Sequence, residues 1–175
     1  MERRIHVITL AVDDLDRALA FYRDGLGLAS TGVVGSELHD DHSGADGAIA
    51  MFHLDGGLIL TVYPRSELAK DAGIAFTPPK SGEFSLGHAV ASREQVDHLI
   101  DRASSAGGRV LDKPRDRPWG IYSGYFQDPD GHLWEIVHNP ALELNPTRAL
   151  GAPRRGGSGA TGRSNFSTCG LDTSG

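Results

Sequence analysis

The same order of elements is predicted twice along this chain, and the repeat constrains the fold more than any other feature. Each copy begins with a β-rich run, continues through a capped amphipathic helix and ends with three further strands. The predicted strands are 5–12, 28–34, 48–54 and 58–63 in the first copy and 84–91, 109–111, 119–127 and 132–138 in the second. Because an internal repeat indicates a repeated structural unit, we predict an α+β fold of two tandem βαβββ modules.

The repeat also divides the chain into segments. We expect a first module over 1–63, a linker with a short helix over 64–83, a second module over 84–146 and a disordered tail over 147–175. The tail is rich in Gly, Ser and Thr, so it cannot bury enough apolar surface to offset its ordering entropy. Each module alone leaves one side of its sheet bare, and we expect the two sheets to shelter these sides by curling around a cavity.

Composition excludes several classes of function. Hydrophobic residues make up 39% of the chain, and no apolar run approaches the roughly 20 residues of a membrane helix, so no membrane partner is expected. The net charge is −6, and the last 25 residues contribute +2, which leaves −8 on the rest and argues against a nucleic-acid partner. The single cysteine, Cys169, provides neither a disulfide framework nor a cysteine metal site. A cytoplasmic location is the default expectation.

The last predicted strand contains the first candidate for a functional residue. Alternation places Leu133, Glu135 and Val137 on one side of the sheet and Trp134 and Ile136 on the other. An acid between apolar neighbours on its own side is unusual for a solvated surface. Glu135 could therefore act as an acid, a base or a hydrogen-bond anchor for a ligand, and the alternative is that it only pairs with a nearby basic residue.

Three stretches resemble a known family: VITLAVDDLDRALAFYRDGLGL at 7–28, GGLILTVYPRSELAKDAG at 56–73 and SGYFQDPDGHLWEIVHNP at 123–140. With them the chain resembles the vicinal oxygen chelate superfamily, which includes glyoxalase I, extradiol dioxygenases and the bleomycin- and fosfomycin-resistance proteins. It is most similar to the glyoxalase-like branch. The resemblance implies a curved mixed sheet around a cavity, a small organic ligand and a homodimer.

The resemblance also implies where a metal would be held. Family enzymes bind one divalent metal (Zn, Ni, Fe or Mn) through a His or Gln on the first strand of each module and a Glu on the last strand of each. Glu135 matches one of these four positions. Counting back from the helix caps places the first-strand positions at Val7 and Leu86, and the last strand of the first module offers Leu60 or Thr61. Since a stable site needs at least three protein ligands, we assign no metal.

The alternative metal site consists of His6, His88 and Glu135, the composition of a two-histidine, one-carboxylate iron site. It requires a one-residue slip in the first strand, because neighbouring strand residues point to opposite faces. Without a metal, His88 beside Glu135 would form a carboxylate–imidazole pair suited to acid–base catalysis. A histidine packed in the core is the commoner alternative.

Three aromatic residues complete the predicted ligand-binding set: Trp119, Tyr122 and Phe52. Aromatic side chains suit the recognition of flat apolar ligands, and core packing is the alternative for each of them. The cluster His39-Asp40-Asp41-His42 has a metal-binding composition, but its position between turns favours a solvated loop.

Three functions remain open from the sequence. The leading one is a metal-independent, glyoxalase-like protein that binds or sequesters a small organic molecule. The second is a divalent-metal-dependent lyase or isomerase of the glyoxalase type, or an extradiol-type dioxygenase. The third is a metal-free enzyme in which Glu135 and His88 act as acid and base.

Overall fold

The computed structural model describes residues 5–78, 82 and 84–142, so the predicted tail over 147–175 lies outside the described residues. The strands are β1 (Val7–Val12), β2 (Val33–Val34), β3 (His39–Asp40), β4 (Ala45–Asp46), β5 (Ile49–His53), β6 (Ile59–Pro64), β7 (Ser85–Ala89), β8 (Arg109–Asp116), β9 (Tyr122–Gln127) and β10 (Leu133–His138). The helices are α1 (Leu15–Leu19), continued by a π-helical segment (Ala20–Gly25), α2 (Arg65–Asp71) and α3 (Arg93–Ser105), and a 3-10 turn (Asp55–Gly57) joins β5 to β6.

Two four-stranded sheets with the same topology form the body of the protein. Their strand orders are β1-β6-β5-β2 and β7-β10-β9-β8. In each sheet the first and last strands of the module pair in parallel, and the remaining neighbours pair antiparallel. The predicted α+β fold of two tandem βαβββ modules is therefore confirmed, with a small β3–β4 hairpin inserted in the first module.

Both predicted helix starts have the expected caps. The side chain of Asp14 accepts a hydrogen bond from the backbone N–H of Arg17 at 2.9 Å. Ser92 accepts from the N–H of Gln95 at 3.3 Å, and the Gln95 side chain accepts from the N–H of Ala91 at 2.8 Å. These bonds satisfy N–H groups that a helix start leaves without intrahelical partners.

The strands on either side of Trp119 differ from their predicted bounds. β8 extends to Asp116 through two register shifts against β9, and its polar sequence gave no alternation from which to predict this length. β9 begins at Tyr122 rather than at Trp119, because a turn intervenes in which the backbone N–H of Arg117 donates to the carbonyl of Ile121 and the N–H of Gly120 donates to the carbonyl of Arg117. Gly120 has a φ of +86° in this turn, a conformation that favours glycine.

One hydrophobic core joins the helix-bearing sides of the two sheets. The ring of Phe21 lies 6.2 Å from that of Phe126, and the ring of Tyr22 lies 5.9 Å from that of Trp134. Gly25 permits a close approach of the first helix to α3, since a Cβ there would lie 2.4 Å from the Cβ of Ala106. Each sheet therefore has one side packed in this core and one side outside it.

No helix in the described part of the chain is both long enough and apolar enough to cross a membrane.

Candidate functional site

Strand register makes the two modules equivalent residue by residue. The N-caps Asp14 and Ser92 each follow the first residue of their module's opening strand by seven positions, and these first residues are Val7 and Ser85. Val7 pairs with Ile59 in the first sheet, and Ser85 pairs with Leu133 in the second. Positions counted from these pairs can be compared directly between the modules.

This equivalence can be applied to the four metal positions that the resemblance implies. Val7 and Ser85 are the first-strand positions, and Thr61 and Glu135 are the last-strand positions. The count that placed the second-module position at Leu86 was wrong by one residue: Leu86 pairs with Trp134, on the side opposite Glu135. Between the two residues left open in the first module, Thr61 is the equivalent of Glu135.

Glu135 lies half-buried in a chain of polar contacts on the side of the second sheet outside the core, which we name the Glu135 face. Its direct cross-strand neighbour on β9 is Tyr125. Burial, and then the hydrogen bond to the Glu135 carboxylate, raise the pKa of the Tyr125 phenol above its usual value. Leu133 and Val137 flank Glu135 on the same face, as alternation along the strand predicts.

Arg117 extends this polar chain. Its guanidinium lies 5.5 Å from the centre of the Tyr125 ring, and only 6% of its side chain is exposed. It bonds Asp112 at 2.8 Å and donates through Nε to the hydroxyl of Ser123 at 3.0 Å. The hydrogen bonds from Arg117 and Arg115 hold the pKa of Asp112 below its usual value. Ion pairing thus fixes a buried cation against Tyr125.

His88 does not lie beside Glu135. On β7, Gly87 pairs with Glu135 and His88 pairs with Ile136, so the imidazole and the carboxylate are on opposite sides of the sheet. His88 contributes to cavities on the helix side, next to Leu99 of α3. The predicted acid–base pair of Glu135 and His88 is therefore not formed, because adjacent residues on a strand alternate between faces.

The proposed histidine triad fails for the same reason. His6 immediately precedes Val7, the residue at the first ligand position, and β1 pairs with β6 without a bulge. The slip that would turn His6 toward the Thr61 side is absent from this ladder.

The three aromatic residues predicted to bind ligand do not lie on the Glu135 face. Trp119 is 70% exposed in the turn before β9. Tyr122 lies on the helix side, where its hydroxyl donates to Asp97 of α3 at 2.8 Å. Phe52 is fully buried against Tyr22 in the core, so it has no surface to offer to a ligand.

Sequence reasoning assigned no binding role to Tyr125 and did not consider Arg117. Tyr125 and Tyr122 are three residues apart on one strand and therefore face opposite sides of the sheet. Knowing which side carries Glu135 would have identified Tyr125 as the tyrosine beside it. No periodic signal marks Arg117, because it follows β8 in the turn.

A second polar cluster connects the two modules at the interface between them. Oδ2 of Asp128 accepts a hydrogen bond from the Tyr22 hydroxyl at 2.6 Å and lies 2.7 Å from Nδ1 of His132, and Oδ1 accepts from the backbone N–H of His132 at 2.8 Å. Burial alone would raise the pKa of Asp128, but the hydrogen bonds and the charge of His132 together lower it. Asp130 bonds Arg17 at 2.8 Å. This cluster orders the turn before β10.

The residues present do not fit a metal of the family's type. Of the four ligand positions only Glu135 carries a carboxylate or imidazole, since Val, Thr and Ser occupy the others. Across residues 5–78, 82 and 84–142 no group of three His, Cys, Asp or Glu side chains could hold a metal ion. His39 and Asp40, from the cluster with a metal-binding composition, form the exposed strand β3, and Nδ1 of His39 lies 2.8 Å from a carboxylate oxygen of Asp46.

Comparison with known proteins agrees with this fold. Residues 4–136 match the model of the Glyoxalase/Bleomycin resistance protein/Dioxygenase superfamily. Among curated proteins, none matches the chain significantly.

Solved structures of the family superpose on most of the chain. A glyoxalase-related enzyme from Fulvimarina pelagi is 30% identical, with a TM-score of 0.69 over 83% of this chain and 94% of that one. A lactoylglutathione lyase from Agrobacterium tumefaciens is 26% identical, with a TM-score of 0.54 over 79% and 96%. A fosfomycin resistance protein from Listeria monocytogenes is 20% identical, with a TM-score of 0.57 over 81% and 97%. From the family match, the repeated topology and these superpositions, the chain belongs to the glyoxalase/bleomycin resistance protein/dioxygenase superfamily.

Proposed function

We propose that this protein binds a small organic molecule on the Glu135 face and does so without the metal of the family's enzymes. The observation that carries the proposal is the set of residues at the four ligand positions, where Val7, Thr61 and Ser85 accompany Glu135. A single carboxylate is a hydrogen-bond anchor but not a metal centre.

The contacts around Glu135 favour a ligand that donates hydrogen bonds. Its carboxylate accepts from Tyr125, whose ring is held by Arg117, so the anchor has a fixed orientation. Leu133 and Val137 offer apolar surface beside it, and burying such surface contributes about 25 cal/mol per Å². With a net charge of −6 on the chain, a cationic or a neutral donor-rich ligand is favoured over an anion.

The ligand site is completed in a homodimer. Val7 is 50% exposed, and Gly87, beside Glu135, is exposed as well. Two copies that pair the bare side of one first sheet with the Glu135 face of the other would shelter both surfaces. Analytical ultracentrifugation is expected to give twice the mass of the chain, and a monomer at micromolar concentration would contradict this arrangement.

Calorimetric titration with three compounds tests the ligand class. Bleomycin represents a cationic, donor-rich molecule, and fosfomycin and lactoylglutathione represent anions; all three compounds appear in the names of family members. We expect binding of the cationic compound alone. Glu135→Gln is expected to weaken it at least tenfold, and Tyr125→Phe severalfold, through the loss of a charge-assisted hydrogen bond.

The matched control is Tyr122→Phe, which removes the same hydroxyl from the opposite side of the same strand. It is expected to leave the dissociation constant unchanged. If an anion binds most tightly and Glu135→Gln has no effect, the proposed function is wrong.

A further inference from the structure

The helix side of the second sheet contains a cavity that the proposed function does not use. It has a volume of about 350 Å³ and lies between the two modules, with walls from Leu26, Leu28 and Leu54 of the first module and Leu99, Phe126 and Trp134 of the second. Such a volume is at the lower end of the range for small-molecule sites. The Glu135 carboxylate is on the other side of the sheet, so this cavity is separate from the Glu135 face.

The lining is apolar apart from two side chains. Five aliphatic residues and the stacked pair Phe126 and Trp134, whose rings are parallel within 2°, provide the walls. The indole N–H of Trp134 donates to the Tyr22 hydroxyl at 3.2 Å, so the aromatic wall is held in place. The two polar residues are His88 and Asp55, both of which are exposed.

The equivalence of the modules makes His88 unexpected. Phe126 and Trp134 occupy the positions of Phe52 and Leu60 in the first module, as the cross-strand pairs Phe52–Leu60 and Phe126–Trp134 require. The first-module position equivalent to His88 is Leu10, which pairs with Val62 as His88 pairs with Ile136.

Leu10 is 1% exposed and belongs to the core, whereas His88 is exposed beside an open cavity. Packing does not explain an imidazole at this position, because a leucine fills its equivalent. The exposed imidazole beside the cavity is available to hydrogen-bond a molecule bound there.

The geometry points to a second ligand site in this cavity, for a neutral, mostly aromatic molecule that carries a hydroxyl group. The indole of Trp134 and the leucines enclose the apolar body, and the hydroxyl exchanges hydrogen bonds with His88 and Asp55 in the lining. A neutral ligand is favoured because the rest of the lining is apolar.

Fluorescence of Trp134 provides the direct test, with 2-naphthol as the probe. The chain has two tryptophans, so the variant Trp119→Phe leaves Trp134 as the single reporter, inside the cavity wall. We expect 2-naphthol to quench this fluorescence saturably, with a dissociation constant on the order of 100 µM for a ligand of this size. No saturable quenching up to the solubility of the probe would overturn the proposal.

Two variants and a second probe test the roles of the residues. Leu99→Tyr places a ring inside the cavity and is expected to weaken 2-naphthol binding at least tenfold. His88→Leu restores the residue of the equivalent position and is expected to weaken 2-naphthol three- to tenfold, while binding of naphthalene, which lacks the hydroxyl, stays unchanged. Equal effects on both probes would contradict the hydrogen-bonding role of His88.

A matched control is His42→Leu, the same substitution at an exposed histidine of the β3–β4 hairpin. It is expected to bind both probes as the parent does. His88→Leu introduces an apolar residue at an exposed site, so Asp55→Asn serves as a second variant that keeps the surface polar. Asp55→Asn is expected to weaken the binding of 2-naphthol and to leave the binding of naphthalene unchanged. Identical affinities of both probes in Asp55→Asn and the parent would argue against the hydrogen bond to Asp55.

Discussion

At the scale of single residues, Tyr22 joins the two modules through one hydroxyl. It donates to Asp128 at 2.6 Å and accepts from the indole of Trp134 at 3.2 Å, and its ring is fully buried. Burial, and then the charge of Asp128, raise the pKa of this phenol well above its usual value, so it remains a neutral donor. A first-module side chain thereby satisfies polar groups of the second module.

Removal of this hydroxyl should therefore destabilise the whole fold. Tyr22→Phe leaves the Trp134 N–H without its acceptor and takes a donor from a buried carboxylate, which costs about 1–3 kcal/mol. Tyr122→Phe is the control, because its hydroxyl bonds the exposed Asp97, and it should cost less than about 1 kcal/mol. Urea unfolding followed by circular dichroism measures the free energy of unfolding of both variants. Equal decreases in the two variants would show that the Tyr22 hydroxyl does not stabilise the interface between the modules.

At the scale of elements, the sequence predicted the types and order of the strands better than their orientation. Helix caps are local sequence signals, and the predicted caps are present in the structure at Asp14 and Ser92. The face of His88 depends on where β7 begins against β10, which is a pairing between segments about 50 residues apart and leaves no local mark. A shift of one residue in the predicted ligand position, from Ser85 to Leu86, was enough to place His88 on the wrong side.

Histidine substitutions at two positions of β1 test which residues of this strand face the core. Leu10→His places an imidazole in the core and should cost at least about 3 kcal/mol, from lost packing and an unpaired polar group. Val7→His, on the opposite face of the same strand and half-exposed, should change stability by less than about 1 kcal/mol. Comparable losses at both positions, measured by thermal and urea unfolding, would mean that the strand register is incorrect.

At the scale of the whole molecule, the arrangement separates two surfaces with different chemistry. The helix sides of both sheets share one core, with the apolar cavity at the module boundary, and the Glu135 face lies on the other side of the second sheet. The family match established the fold, but function follows from the residues on these surfaces. Three of the four ligand positions lack a metal-binding side chain, so the protein is expected to act without a metal.

Calorimetric titration with Zn²⁺ and Ni²⁺ measures whether these positions hold a metal. The wild-type protein is expected to show no stoichiometric binding tighter than about 1 µM, because Glu135 supplies one ligand where at least three are needed. The double variant Val7→His with Ser85→His adds imidazoles at both first-strand positions, which the proposed dimer brings next to Glu135, and it is expected to gain binding of these metals. Sub-micromolar binding by the wild-type protein that is lost in Glu135→Ala would contradict the account.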